Sequence, residues 1–267
     1  MSLLKSLIYG ESEEIEQNFC EYSDTFLGQP VLISCDLNFN KLLPANDLNC
    51  CVKIQMDVFV RPDLPTLINE SEHAHISTVR SILGEHIGGR FVGQGIIAAS
   101  SAVFLMFYIP ERQARACKKM LTETFMGSFR HMETSIVPDP EGLQYKKYLY
   151  PSELQIKRIN NTKILRTLRT YGDNGSIPRS VKFNLVFSNK NAALACYSES
   201  MAKGFAYTDI ITEPPPEGMV LPRYRLILEK TIPFNLELLM LIDDYLMKLA
   251  EKFEGEYRSL ETNIIEL

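Results

Sequence analysis

The residues of this chain that could do chemistry are scattered, and their spacing limits what they can do. His73 and His75 stand two apart beside Glu70 and Glu72 in a stretch with helical periodicity. Two residues amount to about 200° of helical rotation, so the rings diverge, whereas a zinc pair on a helix wants i,i+4 spacing. They read as a solvated helix start. Gly88-Gly89-Arg90-Phe91-Val92-Gly93-Gln94-Gly95 has the glycine density of a phosphate loop. A phosphate cradle follows a strand and opens a helix, and here a helix precedes and a strand follows. Gly93 and Gly95 therefore read as strand positions that let another segment approach closely. Ser100-Ser101 lacks the Gly-x-Ser-x-Gly elbow of a nucleophile. Cys50-Cys51 has only Lys53 as a basic neighbour, which does not make a reactive thiolate, and reads as buried structural cysteine. Asp243 and Asp244 diverge on a helix and read as a solvated face. These groups yield no catalytic, cofactor-binding or metal-ligating set.

Charge gives a clearer signal. Lys157, Arg158, Lys163, Arg166, Arg169, Arg179 and Lys182 are opposed only by Asp173 in their span. Arg166 and Arg169 are i,i+3 neighbours on a helix and share a face with Lys163. Such a run can meet an acidic protein surface or RNA, or pair with the more acidic half of the chain before Asn160. It lacks the exposed aromatics and Gly-Phe motifs of RNA-binding βαββαβ domains, so a protein partner outranks nucleic acid. Asp173 and Arg179 flank a glycine-rich turn between Tyr171 and Phe187. A salt bridge between them, or to Glu256, makes that turn structural, and free side chains favour an interaction surface. The triple proline at Pro214 to Pro216 reads as a stiff loop.

The elements that must position these groups follow from periodicity. Met1 to Gln29 reads as a short helix or lead-in. Val31 to Leu37 and Cys50 to Val60 alternate as strands and are expected to pair as a hairpin. A helix over Glu70 to His86 buries Ile76, Val79, Ile82, Leu83 and Ile87. Two strands in Arg90 to Ile109, a helix after Pro110 and a strand His131 to Val137 complete a first unit. Tyr145 to Arg158 reads as an extended linker. In the second unit come a helix Asn161 to Tyr171 and a strand Ser180 to Phe187. A helix with inner face Ala193, Leu194, Tyr197 and Met201 follows. Strands near Phe205 to Thr212 and Arg223 to Thr231 lead to a helix Asn235 to Phe253 and a strand Tyr257 to Ile265. The order βαββαβ in both units implies split βαβ units: an α+β protein of two ferredoxin-like antiparallel domains in tandem, residues 1–152 and 153–267, each sheet with one uncovered face.

The second unit resembles the RraB family, regulators of ribonuclease E activity B. The likeness is carried by Gly172-Asp173, Ser176, Pro178-Arg179-Ser180-Val181, the strand to Phe187 and Gly204-Phe205. Leu249-Ala250, Phe253, Gly255-Glu256-Tyr257 and Glu261-Thr262 complete it. Where the family continues Asp-Gly-Trp, this chain has Arg258, Ser259 and Leu260. The first unit resembles a domain of unknown function often fused ahead of such domains. The resemblance implies protein binding without catalysis, modulating a ribonuclease or another partner. Arg166, Arg169, Asp173, Arg179, Glu256 and Tyr257 are then the candidate interaction residues. A homodimer is compatible with this reading. An enzyme with a site in the groove between domains, or weak RNA binding through residues 157–182, is the alternative. The six cysteines form no disulfide framework, no apolar run approaches the ~20 residues of a membrane helix, and the N-terminus lacks the marks of a signal peptide. A cytoplasmic location without cofactor is the expectation.

Overall fold

A computed structural model describes residues 15–26, 28–58, 60–61, 64–68, 70–97, 100–125, 132–215, 218 and 220–265; for 60–61, 64–68, 70–73, 75, 82, 86 and 124–125 only the backbone is described. His131, Pro216 and the first 14 residues of the expected lead-in, Met1 to Gln29, lie outside the described residues, as do the side chains of His73, His75 and His86; the rest of that lead-in holds a strand, not a helix. The chain divides into two compact units, Met1–Pro151 and Ser152–Leu267. Both are mixed α/β with antiparallel sheets.

In the first unit, strands β1 (Phe19–Phe26), β2 (Gln29–Asp36) and β3 (Cys50–Asp57) are followed by a small pair, β4 (Val60–Arg61) and β5 (Leu64–Ile68). Then come helix α1 (Glu70–Ser81), β6 (Arg90–Ile97), β7 (Ala102–Ile109), α2 (Ala114–Phe125), β8 (Met132–Pro138) and α3 (Leu143–Tyr148). The main sheet runs β1-β2-β6-β7-β3-β8. The expected hairpin of the Val31 and Cys50 strands is not formed. Strand β2 pairs with β1, a strand missed in the sequence, through a turn at Gly28, while β3 sits between β7 and β8. A split βαβ order places its first strand in the centre of the sheet, which leaves β3 no vacant edge for β2.

One face of this sheet packs on α1, the helical turn Ile82–His86 that follows it, and α2, where Val79, Leu83, Cys117 and Leu121 meet Val52, Ile54, Leu105 and Phe107. The other face is covered, against expectation. A 3-10 turn, Leu37–Leu42, and α3 lay Phe39 and Tyr145 over Tyr108, with ring centroids 4.5 Å (Phe39–Tyr108) and 5.0 Å (Phe39–Tyr145) apart. Every residue of β7 is consequently buried. Gly93 and Gly95 lie inside β6, paired on both sides, and a Cβ at Gly95 would strike the Phe104 ring. The glycine run is a packing device. Cys50 and Cys51 are buried, and desolvation pushes the Cys51 thiol up to about 12.

The second unit runs α4 (Glu153–Thr170), β9 (Arg179–Phe187), α5 (Lys190–Met201), β10 (Ala206–Glu213), β11 (Arg223–Ile232), α6 (Leu236–Lys252) and β12 (Gly255–Thr262). Its sheet order is β10-β11-β9-β12. Val181, Phe183, Leu185 and Phe187 of β9 meet Leu165, Leu168, Leu239, Leu246 and Leu249 in one core. Helix α5 turns a different face inward from the one its large residues suggest. Ala193, Cys196 and Ser200 are buried, whereas Leu194 and Met201 are exposed. Small residues at i, i+3 and i+7 seat the helix close on the sheet.

Candidate functional site

Helix α4 begins eight residues before its expected start. Ser152 caps it: the Gln155 N–H donates to Ser152 Oγ at 3.3 Å, and the Ser152 N–H donates to Gln155 Oε1 at 2.7 Å. This reciprocal capping box lets the helix run through the stretch expected to be extended. The longer helix places Arg158, Thr162, Leu165, Arg166 and Arg169 at i, i+4, i+7, i+8 and i+11, one stripe of its surface.

That stripe forms one wall of a groove of about 880 Å³. The opposite wall is the start of α6, with Phe234, Leu236, Glu237 and Leu238, and the turn Asn174–Ser176 closes one end. Leu165 and Phe234 are buried in the floor, and Leu236 and Leu238 are half-buried above it. The turn is held against α6 because the Phe234 N–H donates to Gly175 O at 2.8 Å. Gly175 has φ +79°, and a Cβ there would meet Phe234 O at 2.5 Å, so both the backbone and the space demand glycine.

Of the residues proposed from sequence, Arg166 and Arg169 lie on this groove. Arg158 joins them, and Lys163 does not line it. The three arginines are exposed and make no ion pair or side-chain hydrogen bond among the described residues. Glu237 is the acidic lining residue.

The other candidates have structural duties. Asp173 and Arg179 are buried together. Arg179 Nη2 donates to Asp173 Oδ1 at 2.7 Å and Nη1 to Oδ2, a bidentate pair. The Gly175 and Ile265 N–H groups donate to the same carboxylate at 2.9 and 3.0 Å, and Arg179 Nη1 reaches Asn263 O at 3.1 Å. The pair thus fastens the turn and the start of β9 to the segment after β12. Arg179, followed by the Ile265 N–H, holds the Asp173 carboxyl well below the usual carboxylate range, and Asp173 raises Arg179.

Tyr257 is also internal. Its OH donates to Asp243 Oδ1 at 2.7 Å, and Asn161 Nδ2 donates to Asp243 Oδ2 at 2.6 Å. Asp243 is therefore a fully buried hub between α4, α6 and β12, while its neighbour Asp244 is on the surface, paired with Lys248 at 2.7 Å. Burial raises the Asp243 carboxyl despite those two donors. Lys157 donates to Tyr257 O at 2.8 Å and Arg258 O at 2.5 Å, carbonyls at the β12 bulge. Desolvation lowers its ammonium pKa. Glu256 is exposed and faces away from this core, 3.5 Å from Arg258 Nε and 4.0 Å from Arg223 Nη1. Arg258 in turn spans from β12 to Glu213 of β10 at 3.0 Å, over a sheet face of alternating charge.

Residues 158–262 match the model of the family Regulator of ribonuclease activity B, RraB. The match opens on Arg158, the first arginine of the groove, and closes on Thr262, the last residue of β12. All the groove's lining residues fall inside it, as do the side chains of both buried polar hubs, while the Asn263 and Ile265 backbone groups of the Asp173 hub lie just beyond it. No curated protein matches the chain. Among solved structures, an unknown protein from Galdieria sulphuraria covers 81% of this chain and 98% of its own at 10% identity and a TM-score of 0.23. A candidate glycine cleavage system transcriptional repressor covers 80% and 98% at 7% identity and a TM-score of 0.24. Likenesses this slight carry no argument. Among the described residues no three His, Cys, Asp or Glu side chains gather as metal ligands would, and no helix is long and apolar enough to cross a membrane.

Proposed function

We propose that this chain is a non-catalytic regulatory protein of the cytoplasm, built from two ferredoxin-like domains in tandem, residues 1–152 and 153–267, whose second domain binds a protein partner. A ribonuclease is the first partner to test, because the family matched by residues 158–262 is described as regulating ribonuclease activity. One observation carries the reading. In the RraB-like segment Asp173, Arg179, Asn161, Asp243 and Tyr257 are spent on internal bonds, whereas Arg158, Arg166 and Arg169 line an open groove with no ion-pair partner among the described residues. Charged groups that do not serve the fold, beside half-buried leucines, are what a partner surface offers.

The test is affinity capture with the whole chain as bait, against an endoribonuclease of the same cell, followed by RNA cleavage with and without the chain. Retention of the nuclease with a changed cleavage rate is the expected result. A chain that retains neither the nuclease nor any other protein overturns the reading.

A further inference from the structure

We infer that the groove between α4 and α6 takes an acidic polypeptide segment with an apolar anchor, in an extended conformation. The inference rests on the partner-binding reading above and names the chemistry of the occupant. From Arg158 to Arg169 the helix rises about 16 Å, the reach of roughly five extended residues. Arg166 and Arg169 are one turn apart at one end, and Arg158 is about two turns away at the other. A complementary segment therefore places two carboxylates near one end and one near the other, with an apolar side chain between them on Leu165 and Leu238. Leu241, one turn beyond Leu238 on α6, is 70% exposed. The start of α6 adds no anion site of its own, since Asn235 Oδ1 already accepts from the Glu237 and Leu238 N–H groups at 2.9 and 3.2 Å. Recognition of negative charge falls to the guanidiniums. Glu237 on the rim repels a carboxylate placed against it, which favours one register over others. RNA fits less well: Phe234 is the aromatic ring lining the groove, and it is buried at 1% exposure, leaving no open face for a base to stack on.

The experiment is fluorescence anisotropy on the full chain, using a labelled, end-capped peptide of alternating glutamate and leucine. The probe is compared with a lysine–leucine counterpart and a short oligouridylate of similar charge. The acidic peptide is expected to bind, more weakly as salt rises. Arg166→Glu with Arg169→Glu should weaken it by roughly tenfold or more, as two lost ion pairs and two repulsions imply. Arg166→Glu alone should weaken it severalfold, whereas Lys163→Glu, on the same helix outside the groove, should leave affinity within about twofold. Far-UV circular dichroism of each variant keeps unfolding apart from lost contacts. Three outcomes overturn the inference: no binding of the acidic peptide, equal weakening by Lys163→Glu and Arg166→Glu, or tighter binding of the oligouridylate. If a nuclease is retained equally by wild type and the double variant, the groove assignment falls while the regulatory reading stands. If the groove binds the peptide and no protein is retained from the cell, the groove stands and the regulatory reading falls.

Discussion

Two buried aspartates of the second unit respond to pH in opposite senses, and the difference lies in their partners. Asp173 faces a guanidinium and two backbone N–H groups, which depress its pKa. It therefore stabilises the fold above the ordinary carboxylate pKa of about 3.9, and that contribution is lost as pH falls below this value toward the folded one. Asp243 is raised by desolvation, which Tyr257 and Asn161 only partly offset. Its folded form holds a proton longer than the unfolded chain does, so stability is lost as pH rises from about 4 through the folded pKa. Asp243→Asn should then gain stability relative to wild type as pH rises from about 4 through the folded pKa, measured by urea midpoints. A relative loss as pH rises above about 4 would contradict the assignment. Tyr257→Phe leaves the Asp243 carboxylate one donor short and should cost about 1–3 kcal/mol at neutral pH by the same measurement. Asp173→Asn should remove the acid limb of the stability profile; persistence of that limb would place its origin elsewhere.

The element that decides the candidate site is α4, and its start is legible in the sequence. Ser152 and Gln155 carry the spacing of a capping box, inside the stretch Tyr145 to Arg158 that reads as an extended linker. A helix that starts at Asn161 leaves Arg158 off the stripe of Arg166 and Arg169, and the helix from Glu153 restores it. Ser152→Ala should cost about 1 kcal/mol in the same denaturation assay. The turn after the helix offers a sharper contrast. Gly172 has φ +80° with no atom near its missing Cβ, while Gly175 has φ +79° with Phe234 O in the way. Gly172→Ala should cost about 1–2 kcal/mol and Gly175→Ala distinctly more, because the start of α6 must move with it. Equal costs would show that backbone conformation alone sets the requirement. Core alternation in β9 and the long stripe of α6 were legible because one face meets apolar neighbours along its whole length. The inward face of α5 was not, because close packing chose its small residues over its large ones. Nor could the sequence separate Asp173 and Arg179 from a surface pair, since burial of a charge depends on a tertiary partner, here the backbone near Ile265 that closes over it.

At the scale of the molecule, each unit has a core built from its own elements, and the boundary at Pro151–Ser152 coincides with the cap of α4. The core cluster of the second unit draws on α4, α5, α6 and β9 to β12. A fragment of residues 152–267 is large enough to bury a self-sufficient core. It should unfold in one cooperative transition by circular dichroism, and coincident far-UV and tyrosine-fluorescence midpoints would establish this. Its affinity for the acidic peptide should match that of the whole chain, because every lining residue of the groove lies within it. The fragment starts at Ser152, so removing one further residue deletes the cap and should lower stability much as Ser152→Ala does. A fragment starting at Asn161, where sequence periodicity alone places the helix, loses Lys157 and Arg158 as well as the cap. It should lose peptide affinity through Arg158 and stability through the freed carbonyls of Tyr257 and Arg258. If the 152–267 fragment is instead molten while the whole chain is folded, the two units are not independent domains, whatever the peptide does.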